Sequence, residues 1–243
     1  MAANKEILNS YLSIRKLIGT LGLMLPIILI ALEKEYLSSI SHYYYTKTSV
    51  FFIAILFSFG ILLISYRGYE KDEKTEYFSD NFITKVGGFA ILLVVFFPTK
   101  CIGSNSPEIA AMCDTGIYPL YGHMDKWKSI IHFASAGIFL FTMGWMSIFR
   151  FTKGPKTPDK IIQHRIYKIC GYIIWACIAV LGVEFLIQLF NEGFQITKID
   201  VFIMETVAIF AFGISWLVKG EAMKDIEEIG TKIKEMTNSP DKE

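Results

Sequence analysis

Residues 125–149 read DKWKSIIHFASAGIFLFTMGWMSIF, an apolar run of membrane-spanning length with a histidine just inside one end. Trp127, Lys128 and Ser129 form a polar and aromatic border, and His132 follows between Ile131 and Phe133. An ionisable side chain within an apolar span is costly unless it faces a protein interior or a watery cavity. On a helix, Asp125, Ser129, His132 and Ala136 share one face, with Ser135 beside it. The span therefore has a single polar edge, confined to one end. Other helices are expected to bring matching groups to that level.

Composition agrees with a membrane protein. Of the 243 residues, 53% are hydrophobic, and the mean hydropathy is +0.42, too apolar for an ordinary soluble domain. The net charge of +1 gives no reason to expect a nucleic-acid partner. The chain has no Gly-rich phosphate loop, CxxC pair or HExxH, so no cofactor or metal is assigned.

Six apolar spans follow, at 17–32, 50–66, 83–98, 130–149, 166–190 and 201–218. Each approaches the ~20 residues that cross a bilayer core. In lipid their backbone polar groups have only one another as partners, so all six are expected to be helices. The fold class is therefore all-α, a polytopic bundle of six transmembrane helices. With the N-terminus placed in the cytoplasm, 18 of the 24 basic residues fall in inner segments and 6 in outer ones. That bias puts both termini inside, in a multi-pass protein of the cytoplasmic membrane.

Residues 1–220 form the six-helix domain. Residues 221–243 form a cytoplasmic tail in which Ala222, Ile226, Ile229, Ile233 and Met236 make the apolar stripe of an amphipathic helix. Membrane lipids are the expected partners, and the stripe also allows a homo-oligomer.

The outer loops carry the remaining signals. Cys101 and Cys113 lie close in sequence on the oxidising side, where a disulfide is expected. Residues 36–46 read YLSSISHYYYT, either an aromatic belt at the interface or a lip over a cavity. Cys170 and Cys177 fall within a span and read as packing residues.

Three ionisable groups converge at one depth. Glu184 and Gln188 sit one turn apart in the outer half of the fifth span, with Asn191 beyond them. Glu205 lies about a turn below the outer surface in the sixth span, and His132 at a similar depth in the fourth. At ~1.5 Å per residue, His132, Glu184 and Glu205 are all within roughly 10 Å of the outer interface. The inner halves of the spans carry no carboxylate or imidazole.

The expected site is an outward-facing pocket lined by His132, Glu184, Gln188 and Glu205 and capped by Tyr44, Tyr45 and Thr46. It would bind or transport a small polar molecule or lipid headgroup. One alternative is a metal-dependent hydrolase embedded in the membrane; another is an oligomeric pore or signalling effector. A purely structural outcome would pair His132 with Glu205 in a closed interior.

Several segments resemble a bacterial integral membrane protein family built on a domain of unknown function. They are SISHYYYT at 39–46, SYRGYE at 65–70, FPT at 97–99, HFASA at 132–136, RIYKICG at 165–171 and FGISWLVKGE at 212–221. The resemblance covers most of the chain and implies a six-helix bundle without implying an activity. In that pattern the position of His42 is not fixed as histidine, which favours His132 as the essential residue.

Overall fold

The computed structural model describes residues 2–68, 71, 77–101, 107–153, 157–191 and 200–221, with side chains from residue 9 onward except 158, 159 and 189. Among these residues the secondary structure is helical, without strands. The elements are α1 (Ala2–Glu33), a 3-10 helix (Ile40–Tyr45), α2 (Ser49–Ser65), α3 (Asp80–Phe96), α4 (Pro107–Thr115), α5 (Lys126–Trp145), α6 (Pro158–Phe190) and α7 (Asp200–Lys219). A π turn, Met146–Arg150, extends α5. The tail stripe from Ala222 to Met236 lies outside the described residues.

The six longest helices close a ring in chain order. Each packs on the next, α3 passes directly to α5, and α7 returns to α1. Glycines allow the closest of these approaches. A Cβ on Gly19 would come within 2.7 Å of the Gly213 carbonyl, and one on Gly88 within 2.8 Å of the Gly60 carbonyl. Small residues at such crossings let helix backbones meet where lipid supplies no hydrophobic drive. The axis of the ring is filled. Phe59 stacks on Phe139 at 6.3 Å, and Phe212 meets both rings edge-on. What remains on the axis is a void of about 50 Å³ lined mainly by apolar side chains such as Leu25, Phe52 and Ile91.

The outside of the ring is as apolar as its core. Leu17, Ile27, Phe57, Phe89, Ile138, Phe141, Ile173, Val183 and Ile203 are all exposed. An apolar surface of this extent marks contact with a nonaqueous partner. Four segments are long and apolar enough to cross a membrane: Asn9–Glu33, Lys126–Arg150, Lys160–Gln188 and Asp200–Lys219. Ser49–Ser65 is apolar but shorter. The chain is thus membrane-embedded. At ~1.5 Å per residue, α2 and α3 are each about a turn short of a bilayer core on their own.

The two ends of the ring differ. At the terminal end, α1 and the exit of α7 meet, and a Cβ on Gly220 would lie 2.8 Å from Lys16 Cγ. Asp80 and Arg150 form a buried ion pair there, at 1% and 4% side-chain exposure. The sequence alone leaves Asp80 in the loop before the third span; the structure puts it in the first turn of α3. The third helix begins at Asp80, three residues before the apolar run, because Ser79 caps it by accepting from Phe82 N. Trp216 packs edge-on against Tyr66 and Phe151 at the same end. Tyr66 and Trp216, each from a segment that carries part of the family resemblance, thus meet in this packing. At the opposite, capped end, the 3-10 helix folds over the ring with Tyr43, Tyr44 and Tyr45 buried.

Candidate functional site

The capped end is organised around the exit of α3. Phe97–Cys101 leaves the helix without a neighbouring strand, so its backbone groups need partners from elsewhere. His132 Nδ1 lies 2.9 Å from the Phe97 carbonyl, and His123 Nε2 lies 2.8 Å from that of Pro98. Tyr45 donates its hydroxyl to the Thr99 carbonyl at 2.5 Å. Ser129 Oγ accepts from Lys100 N at 2.8 Å, and the Cys101 N–H donates to the His123 carbonyl. Every residue of this stretch has a backbone tie, although the Thr99 hydroxyl is buried without a partner.

A carbonyl only accepts, so the proton of neutral His132 is on Nδ1, and Nε2 accepts from Ser41 Oγ at 2.8 Å. His132, 1% exposed, therefore pins the 3-10 helix to the end of α3. His123 repeats the pattern: Nε2 donates to Pro98, and Nδ1 accepts from Asp125 N at 3.1 Å. Burial lowers the His123 pKa, partly opposed by the bond to Pro98. Burial also drives Tyr43 and Tyr45 up to about 12, so both stay neutral donors.

Cys101 and Cys113 are disulfide-bonded with their Cα atoms 5.6 Å apart, tying α4 to this stretch. The exposed Asp125–Lys128 pair, at 2.8 Å, depresses the Asp125 pKa.

Beside this closed network lies an open one. α5 and α6 touch closely near the terminal end, where a Cβ on Gly171 would meet the Gly144 carbonyl at 2.9 Å. Toward the capped end they part. A Cβ on Gly137 or Gly182 would meet nothing within 4 Å. The gap is a cavity of about 330 Å³ between α5, α6, the start of α7 and the 3-10 segment. Ile130, Phe133, Ala134 and Gly182 line it and are exposed on the ring's outer surface, so it opens sideways between α5 and α6. The rings of Phe133 and Phe185, 5.5 Å apart, stand across the opening.

One wall of the cavity is polar: Ser38, Ser39, His42, Glu184, Gln188, Asp200 and Glu205. Glu205 accepts from Ile40 N at 2.6 Å and from Ser39 Oγ at 2.9 Å, which satisfies the start of the 3-10 helix. Ser38 Oγ lies 2.9 Å from His42 Nδ1. Burial, with a smaller contribution from His132, lowers the His42 pKa to about 4. Glu184 takes one bond on Oε1 from Gln188 Nε2 at 3.3 Å. Its Oε2 is buried without a partner.

Of the seven residues expected to bind, the structure brings together Glu184, Gln188 and Glu205 around the cavity. His132 is elsewhere. Its face of α5 is turned to α3 and the 3-10 helix, while Ile130, Phe133, Ala134 and Gly137 face the cavity from the other side of the helix. Nor does His132 pair with Glu205, because each is bonded to a different part of the 3-10 segment. Tyr44, Tyr45 and Thr46 do not cap the cavity. Tyr44 accepts from Tyr121 N at 3.1 Å, Tyr45 is held at Thr99, and Thr46 donates to the Tyr43 carbonyl at 2.9 Å. Asp200 and His42 line the cavity in their stead. An aspartate opening an apolar helix was a legible signal for Asp200. His42 shares its polar segment with Ser39 and Ser41, a signal that the resemblance of 39–46 masks, because that pattern does not fix this position as histidine.

Ser41 and His132 have the spacing of a nucleophile and its base. However, Ser41 lines the axial void of about 50 Å³, which has room for a water or two and no room for a substrate. Among the described residues, no three of the His, Cys, Asp and Glu side chains converge as a metal site. Compared with known proteins, the chain matches no family model, no curated protein and no solved structure.

Proposed function

We propose that the chain is a six-span protein of a bacterial cytoplasmic membrane, with both termini in the cytoplasm, that takes an amphiphile from the outer leaflet into the cavity between α5 and α6. The cavity itself carries this reading. It is about 330 Å³, within the usual range of ligand sites, and joins an acidic and hydroxylated wall to apolar walls. It opens through a lipid-facing helix gap, where a headgroup enters with its chain still in lipid. The 18-to-6 division of basic residues supports the orientation, because the capped end holds the basic-poor loops. The short helices α2 and α3 count as spans because they sit in the ring between longer ones.

The test is lipid retention. The purified chain is expected to hold one class of amphiphile in near-stoichiometric amount, read by mass spectrometry of extracted lipid. Gly182→Leu, which fills the gap, is expected to lose it. Equal retention by both proteins would sink the proposal. For the orientation, a cysteine replacing Lys47 is expected to be labelled from outside intact cells, and one replacing Lys71 to be protected. The reverse pattern overturns the topology.

A further inference from the structure

Resting on that function, we infer that the headgroup taken into the cavity is a protonated primary amine. Three carboxylates line the polar wall, and among the described lining residues none is a lysine or arginine. Two of the carboxylates already serve the protein's own backbone. Glu205 is bonded at Ile40 and Ser39, and Asp200 Oδ1 accepts from Val201 N at 2.9 Å. Glu184 differs. It is 2% exposed, faces the cavity, and its Oε2 is buried with nothing to accept from. A buried acceptor without a donor is costly, and a buried carboxylate more so.

The missing partner must bring an N–H or O–H and, for the carboxylate of Glu184, positive charge. An alkyl ammonium brings both, with three donors on a small head. A quaternary ammonium brings charge and no donor, and an alcohol a donor and no charge. A phosphate brings charge of the wrong sign. The apolar remainder of the occupant lies along Ile178, Leu181, Leu140 and Phe185, toward the opening.

The full chain in phosphatidylcholine nanodiscs distinguishes these chemistries by equilibrium binding of radiolabelled dodecylamine, dodecyltrimethylammonium and dodecanol, corrected with empty nanodiscs. At neutral pH dodecylamine is expected to bind at least ~10-fold more tightly than either of the others. Glu184→Gln is expected to abolish that preference while leaving dodecanol binding in place. Equal affinity for amine and alcohol, equal affinity for primary and quaternary heads, or an unchanged preference in Glu184→Gln overturns the inference and leaves the cavity's general role standing. If none of the three binds and Gly182→Leu changes nothing, the proposed function fails as well.

Replacing a tenth of the phosphatidylcholine by phosphatidylethanolamine identifies the source. Competition with dodecylamine supports an amine lipid headgroup. Undiminished, Glu184-dependent dodecylamine binding supports a free long-chain amine.

Discussion

His132 and Glu184 lie at the same end of the bundle and are almost equally sealed, at 1% and 2% exposure. Their surroundings are nonetheless opposite. Both nitrogens of His132 are bonded, one to a helix-end carbonyl and one to a hydroxyl. Glu184 has one oxygen bonded to its own helix neighbour and one bonded to nothing. A buried polar group whose bonds are complete belongs to the fold. One left incomplete beside an empty volume points to a ligand. Depth in the membrane puts the two residues in one class, and hydrogen-bond accounting separates them.

The largest effect expected from breaking this contrast is in the closed region. His132→Ala strands the Phe97 carbonyl and the Ser41 hydroxyl and leaves a hole beneath the 3-10 helix. The expected loss is about 2–4 kcal/mol, read as a lowered thermal midpoint in detergent, with amphiphile binding retained by the folded fraction. Normal stability with abolished binding would reverse the assignment of the two regions. Opening the Cys101–Cys113 bridge, by reduction or by serine at both positions, is expected to cost roughly 2–3 kcal/mol, since the closed loop is short. The bridge supports the α3 exit and its ties, so lipid retention between α5 and α6 is expected to persist.

A smaller effect comes from His42, which stands where the two regions meet. Its folded pKa, about 4, lies below the ordinary 6.5 because burial disfavours the charged ring. The unfolded chain therefore binds the proton first. Stability is full above about pH 6.5 and is lost as pH falls toward 4, by ~1 kcal/mol per pH unit within that window. His42→Gln is expected to flatten the slope between those values. A slope unchanged in the variant would place the acid sensitivity on another group.

The sequence revealed the helical class, the apolar surface and the depth of the polar groups, because hydrophobic run length and periodicity report those directly. It also put His132, Glu184 and Glu205 on one level, with Gln188 a turn further out, and of these the structure gathers Glu184, Gln188 and Glu205 around the cavity. The neighbours of each helix face were not legible. Asp125, Ser129, His132 and Ala136 do share a face, but no periodicity in α5 says whether that face meets α3 or α6. The buried Asp80–Arg150 pair was hidden for a related reason. Asp80 precedes the apolar run, so composition assigned it to a loop, while a serine cap starts the helix just before it. The tyrosines of 43–45 look like interfacial anchors by type. Their partners come instead from irregular backbone that no periodicity reports: Tyr43 donates to the Glu35 carbonyl, Tyr45 to the Thr99 carbonyl, and Tyr44 accepts from Tyr121 N.

The smallest expected effect compares two glycines on α5. A Cβ at Gly144 would fall 2.4 Å from Trp175 Nε1 and 3.3 Å from the Gly171 carbonyl, so alanine there must push α6 away. A cost of about 1–3 kcal/mol follows from overpacking. A Cβ at Gly137, two turns along the same helix, meets nothing. Alanine there removes backbone freedom from the unfolded chain and stiffens the helix, which is worth at most ~1 kcal/mol, in the stabilising direction. Gly137→Ala is thus expected to leave the unfolding midpoint unchanged or slightly raised. It narrows the cavity by only a methyl group, so dodecylamine still binds, more weakly than to the parent chain. If Gly137→Ala is instead as damaging as Gly144→Ala, α5 and α6 are in contact along their whole length in the membrane. The gap between them would then be closed, and with it the cavity that distinguishes Glu184 from His132.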